Sequence, residues 1–107
     1  MKFVVFELAL EVIRSLRAPR EVVRKLDVSL HDQMRRAANS VCLNLAEGNR
    51  RVGRDRLHCW RIAAGSAEEL RTALSVAEAW GTIHPASVAR TNQLLDQVLA
   101  ILWRLTH

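Results

Sequence analysis

Residues 29–48 read Ser29-Leu30-His31-Asp32-Gln33-Met34-Arg35-Arg36-Ala37-Ala38-Asn39-Ser40-Val41-Cys42-Leu43-Asn44-Leu45-Ala46-Glu47-Gly48. Leu30, Met34, Ala37, Val41 and Leu45 recur every three or four residues, and Ala38 and Cys42 widen the same stripe. That is the period of a helix with one buried face. Ser29 is placed to cap it with its hydroxyl, and Gly48 suits the left-handed residue that closes a helix. The spacing therefore predicts a helix over 29–47.

Toward the N-terminus, Phe3, Phe6, Leu10, Ile13 and Leu16 keep the same period and predict a helix over 3–17. Ala18-Pro19 should end it, because the residue before proline is pushed out of the α region. Residues 19–28 then read as a connector with room for one helical turn started by Pro19. On the other side, Asn49-Arg50-Arg51-Val52-Gly53 forms a polar turn, and a third helix is expected over 54–80 with Asp55 in its positive first turn. Leu57, Trp60, Ala63, Ala64, Ala67, Leu70, Leu74 and Ala77 make its main face. Ile62, Val76 and Trp80 lie on a second, which implies a second neighbour. Gly81 and Pro85 punctuate the chain, and Val88, Thr91, Leu95, Val98, Leu102 and Leu105 mark a fourth helix over 85–106. No strand pattern appears. Long amphipathic helices with short connections favour antiparallel neighbours, so the expectation is one all-α domain over 1–107, an antiparallel up-down four-helix bundle.

Composition is consistent with that. The chain has 107 residues, 50% hydrophobic and 25% charged, which is too apolar for a disordered segment. A domain of this size buries about two-thirds of its unfolded surface. Glu7 and Glu11 interrupt the apolar start Met1-Lys2-Phe3-Val4-Val5-Phe6, so no signal peptide is read, and no stretch reaches the roughly 18 apolar residues of a membrane helix. Cys42 and Cys59 are not spaced as a metal or redox pair, and free buried thiols suit a reducing cytoplasm. The net charge of +5 is unevenly distributed. Arg14, Arg17, Arg20, Arg24 and Lys25 stand against Glu21 alone, and Arg50, Arg51, Arg54, Arg56 and Arg61 against Asp55 alone. From Ile62 onward the charge is about −1.

Two segments are more specific than composition. One is Arg36-Ala37-Ala38-Asn39-Ser40-Val41-Cys42-Leu43-Asn44-Leu45-Ala46-Glu47-Gly48; the other is Ile62-Ala63-Ala64-Gly65-Ser66-Ala67-Glu68-Glu69-Leu70-Arg71-Thr72-Ala73-Leu74, followed by Ala79-Trp80-Gly81-Thr82-Ile83. Together, with Pro19, Glu21, Leu26 and Gln33 at their flanks, they resemble the four-helix-bundle proteins encoded in intervening sequences of bacterial 23S rRNA genes. The resemblance implies a protomer that assembles into a ring, a homopentamer, with no enzymatic activity. Relatives in diversity-generating retroelements, the accessory variability determinant proteins, work with a reverse transcriptase and its RNA. Where the family often has proline, this chain has Cys42.

The candidate sites follow from charge and polarity. Arg50, Arg51, Arg54 and Arg56 lie beside a helix N-terminus, where guanidinium forks and backbone amides both suit phosphate. Arg20, Arg24 and Lys25 supply a second basic group, and RNA or DNA is the expected partner, bound in a salt-sensitive and sequence-indifferent way. Ser40, Asn44, Glu47, Ser66 and Glu69 lie between apolar stripes and are expected to form a hydrogen-bonded network that sets helix register or a subunit interface. Gly65 and its small neighbours suggest a close helix contact.

No catalytic, metal or cofactor site is expected. No glutamate has histidine three residues on, which argues against a di-iron bundle. Arg51 and His58 match only loosely the arginine and histidine of a HEPN-type ribonuclease. The rival expectation is an interaction scaffold, with a reverse transcriptase as its partner.

Overall fold

Four helices run along the molecule in the computed structural model, which describes residues 3–107. They are α1 (Val4–Leu26), α2 (Val28–Asn49), α3 (Gly53–Ala79) and α4 (Ala89–Thr106), with a 3₁₀ turn at Pro85–Val88 before α4. Met1 and Lys2, the start of the apolar N-terminal stretch, lie outside the described residues. Packing runs around the bundle from α1 to α2, α2 to α3, α3 to α4 and α4 back to α1. Neighbours are antiparallel: Trp60 meets Leu45, while Ser66, later in α3, meets Ser40, earlier in α2. Likewise Arg61 reaches Thr106 and Arg71 reaches Asp96. The result measures 42 × 22 × 21 Å.

The stripe that predicted α2 is buried throughout, from Leu30 to Leu45, and meets Ala63, Ala67, Leu70, Leu74 and Ala77 of α3 in one core with Leu94, Leu95, Val98 and Leu102 of α4. Several boundaries differ from the sequence reading. α1 does not stop at Ala18-Pro19 but continues to Leu26, so there is no connector over 19–28. Pro19 leaves the Ser15 carbonyl without its helical donor, but Leu16, Pro19 and Val23 extend one buried stripe, and burying Val23 completely outweighs one lost hydrogen bond. The face of α1 is also turned. Val5, Ala9 and Val12 point inward, while Phe3, Phe6, Leu10 and Ile13 pack partly buried along the edge of the core.

The cap of α2 is Asp27, whose carboxylate accepts from the Leu30 N–H at 3.0 Å; Ser29, the expected cap, lies inside the helix. A single residue thus separates α1 from α2. Gly48 is not a left-handed terminator either. It is helical, and among the described residues only Gly53 and Gly81 have positive φ, 58° and 74°. Gly81 does close α3: its N–H bonds the Glu78 carbonyl, and the Thr82 N–H bonds the Ala77 carbonyl, both at 2.9 Å. Pro85 opens the 3₁₀ turn, and the α-helix itself starts only at Ala89.

The second face of α3 is uncovered within the chain. Ile62, Val76 and Trp80 are 40%, 39% and 76% exposed. Gly65 has open space around it, so the close contact expected there does not exist within this chain. No described helix is long and apolar enough to cross a membrane.

Candidate nucleic-acid interface

The basic turn between α2 and α3 is built on a tight corner. Gly48 lies directly beneath the indole of Trp60; a Cβ at this position would be 2.5 Å from the ring. Trp60 is 7% exposed, donates its indole N–H to the Leu45 carbonyl at 3.3 Å and packs against Phe3 with ring centroids 5.8 Å apart. Arg56 lies over the ring, its guanidinium 5.2 Å from the Trp60 centroid. Its Nε donates to the Gly48 carbonyl at 3.0 Å and an Nη to the Asn49 carbonyl at 3.2 Å. A cation at the negative end of α2, satisfying two of its last carbonyls, is a structural clasp.

The other arginines of the turn point outward. Arg50 and Arg51 both pair with Glu47, at 2.8 and 2.7 Å, and Arg54 has no side-chain partner among the described residues. The Arg50 side chain remains 75% exposed, and an exposed pair of this kind is worth under about 1 kcal/mol, so its guanidinium can exchange the carboxylate for a phosphate at little cost. The hydrogen bond from Arg50, then that from Arg51, holds the Glu47 carboxyl below the ordinary carboxylate range. A group with a depressed folded-state pKa stabilises the fold above its unfolded pKa and loses that contribution as pH falls through the folded value. The Glu47 clamp is therefore expected to persist through neutral pH and open only in acid below the usual glutamate midpoint. A carbon-detected titration of the Glu47 carboxyl checks this, and a midpoint at or above an ordinary glutamate's would refute it.

Arg20, Arg24 and Lys25 lie at the opposite end of the bundle, separated from the turn by the 22 residues of α2, or about 33 Å at 1.5 Å per residue. The two basic groups of the sequence reading are thus not one patch. Arg24 pairs with Glu21 at 2.5 Å, Arg20 contacts the buried His31, and Lys25 has no partner among the described residues.

Three of the five polar residues lie together. Ser40 and Ser66 share a hydrogen bond of 2.7 Å between α2 and α3, and Asn44 donates to the Ser40 carbonyl and hydroxyl at 3.0 and 3.1 Å. Glu47 is instead on the surface with its arginines. Glu69 is exposed, with no side-chain partner among the described residues, because it falls outside the face that α3 turns to α2. A second cross-helix hydroxyl pair, Ser15 with the buried Thr91 at 2.7 Å, joins α1 to α4. Thr91 was legible only as a core position, since its partner lies 76 residues away.

Arg17, Arg35 and Arg36 are not among the candidate site residues of the sequence reading, although Arg17 belongs to its first basic stretch, and none has a side-chain partner among the described residues. Arg17 of α1 and Arg35 of α2 both line the groove between the two helices. Their helical spacing was visible, but the register between the two helices was not. Among the described residues no three His, Cys, Asp or Glu side chains gather as a metal site. Burial pushes the Cys42 thiol up to about 11, so it is protonated at neutral pH and unsuited to act as a nucleophile.

A sequence model of the 23S rRNA-intervening sequence protein family matches residues 4–104. Among solved structures, the chain superposes on a protein of unknown function from the S23 ribosomal protein family of Bacteroides thetaiotaomicron VPI-5482 with a TM-score of 0.85. That match is at 18% identity and covers 95% of this chain and 97% of the other. No curated protein matches the sequence.

Proposed function

Since the chain belongs to the 23S rRNA-intervening sequence protein family, we propose that it is a non-catalytic nucleic-acid-binding or ribonucleoprotein accessory module, working in the cytoplasm as a homopentameric ring. The observation that carries this reading is the outward-facing group of Arg50, Arg51 and Arg54 at one end of the bundle, two of which pair with Glu47. Arg56 adds charge but is committed to the α2 clasp. Copies of this group repeated around a ring would combine several weak phosphate contacts into useful affinity. The uncovered face of α3, with Ile62, Val76 and Trp80, supports self-association, because three large apolar side chains at helical spacing gain from being covered.

The test reverses charge only where the fold does not use it. The Arg50→Glu, Arg54→Glu double variant is expected to unfold as the parent does, yet to bind mixed-sequence RNA more weakly. Its slope of log affinity against log salt should be shallower by about 1.4, from two lost phosphate contacts on a single strand. Filter binding at a series of salt concentrations measures this, and an unchanged slope would remove the turn from the interface.

A second reading has its own observation. Trp80 and Trp103 are 76% and 62% exposed, as suits a surface that meets another protein. In that case the ring is an interaction scaffold, with a reverse transcriptase as the candidate partner. Light scattering separates the two: a mass of five chains that rises with RNA only at low salt favours nucleic acid, while a five-chain mass indifferent to RNA favours the scaffold.

A further inference from the structure

The groove between α1 and α2 contains a cavity of about 270 Å³, away from the α2–α3 turn. Its floor is apolar, made by Ile13, Leu16, Met34 and Ala38. Its polar edge is cationic, with Arg17 and Arg20 from α1 and Arg35 from α2, and no carboxylate lines it. One end is closed by His31, which is 4% exposed. Arg20 lies 2.9 Å from His31 Nε2, and Asp32 Oδ1 lies 3.3 Å from His31 Nδ1. A guanidinium only donates, so Nε2 accepts and the ring proton is on Nδ1, directed at Asp32. The buried imidazole thereby anchors Arg20 at the cavity wall without neutralising it. Arg17 and Arg35 have no side-chain partner among the described residues.

We infer that this cavity is a binding site for a small organic oxyanion, a phosphate ester or carboxylate attached to an apolar body of about one ring. Charge determines the head: three arginines line the cavity with no acid among the lining residues, and their forked donors suit planar or tetrahedral oxyanions. The floor determines the body, since four apolar side chains gain from being covered by an apolar group and give nothing to a bare ion. Volume sets the size. At ~30 Å³ per water the space equals about nine waters, near the lower limit of ordinary ligand pockets. This inference is independent of the nucleic-acid reading carried by Arg50, Arg51 and Arg54, because it uses a different surface and a ligand too small to be a strand.

The experiment is calorimetry on the full chain with four probes: benzyl phosphate, phenylacetate, inorganic phosphate and benzyl alcohol. Saturable binding is expected for benzyl phosphate or phenylacetate, and whichever is tighter identifies the head group. Inorganic phosphate and benzyl alcohol, each carrying half of the pharmacophore, should bind at least ~10-fold more weakly, the loss expected when one of two cooperating contacts is removed. Arg17→Gln and Arg35→Gln, both on the surface, should each weaken the better probe by ~10-fold without changing the melting temperature. The Met34 methyl resonance reports the floor directly. The chain has two methionines, so Met1 serves as the internal control. Binding of benzyl phosphate and phenylacetate no tighter than that of inorganic phosphate, insensitivity to both arginine variants, or a Met34 methyl that does not shift would each overturn the assignment.

Discussion

Replacing Trp60 with alanine is expected to lower the unfolding free energy by about 3–5 kcal/mol, the range for truncating a buried large aromatic side chain. The side chain does more than fill space. Its indole N–H satisfies the Leu45 carbonyl, its ring lies under the Arg56 guanidinium, and it packs against Phe3 from the start of α1. Truncation would therefore loosen three elements at one corner: the end of α2, the start of α3 and the entry to α1. Denaturant unfolding at fixed protein concentration measures the loss, which is a large share of the 5–15 kcal/mol that ordinary domains possess. A loss under about 1 kcal/mol, the scale of a surface substitution, would mean that the corner is not part of the cooperative core.

Gly48→Ala tests the same corner from the other side. The added methyl would be 2.5 Å from two atoms of the Trp60 ring and 3.2 Å from the Arg56 carbonyl. Alanine is normally the better helix former by about 1 kcal/mol, so local propensity alone predicts stabilisation. Packing predicts the opposite. The ring is held by its hydrogen bond and by Phe3, and the Arg56 carbonyl is main chain, so neither yields easily. Overpacking of this kind costs about 1–3 kcal/mol, and at 4–8 °C per kcal/mol for a domain near this size, the midpoint should fall measurably. The two substitutions should also couple. In a Trp60→Leu background, Gly48→Ala should become near neutral or stabilising, with a coupling energy of about 0.5–3 kcal/mol as contacting pairs give. A Gly48→Ala protein more stable than its parent would show that propensity wins and the contact is slack.

Gly48 also illustrates how a correct residue can be noticed for the wrong reason. Glycine near a predicted helix end reads as a left-handed terminator, and Gly81 fulfils that reading in full. At Gly48 the same letter answers a different demand, the approach of an indole from another helix, which no local pattern announces. Pro19 is the converse case. Its local rule says that a helix ends, but Leu16, Pro19 and Val23 continue one buried stripe, and tertiary burial overrides the local cost.

The candidate site divides along the same line. That the turn at 50–56 is basic needed only the letters, as did the grouping of Ser40 with Asn44 on one helix face. That Arg56 holds the end of α2 while Arg50, Arg51 and Arg54 face solvent could not be read from four arginines of identical chemistry. The long charge-bearing stretch from Arg14 to Lys25 and the turn at Arg50 appear as two strong clusters in one dimension. Folding sets Arg24 and Lys25 about 33 Å from the turn, the length of α2, while Arg17 lines a cavity with Asn39 partway along that helix.

By itself, then, the sequence determined the number of helices, the inward stripe of α2, most of the stripes of α3 and α4 (Leu57 and Ala64 are only partly buried, and Leu105 is 39% exposed), the family resemblance and the uneven charge. All of these depend on periodicity or composition within one segment, where a 3.6-residue repeat is enough information. The tertiary structure alone decided the rotation of α1, the pairing of Ser40 with Ser66 and Ser15 with Thr91, the role of Gly48 and the cationic cavity between α1 and α2. Each of these depends on the register of one helix against another. That register is the outcome of packing whole faces together, and it is not encoded in the spacing along either helix alone.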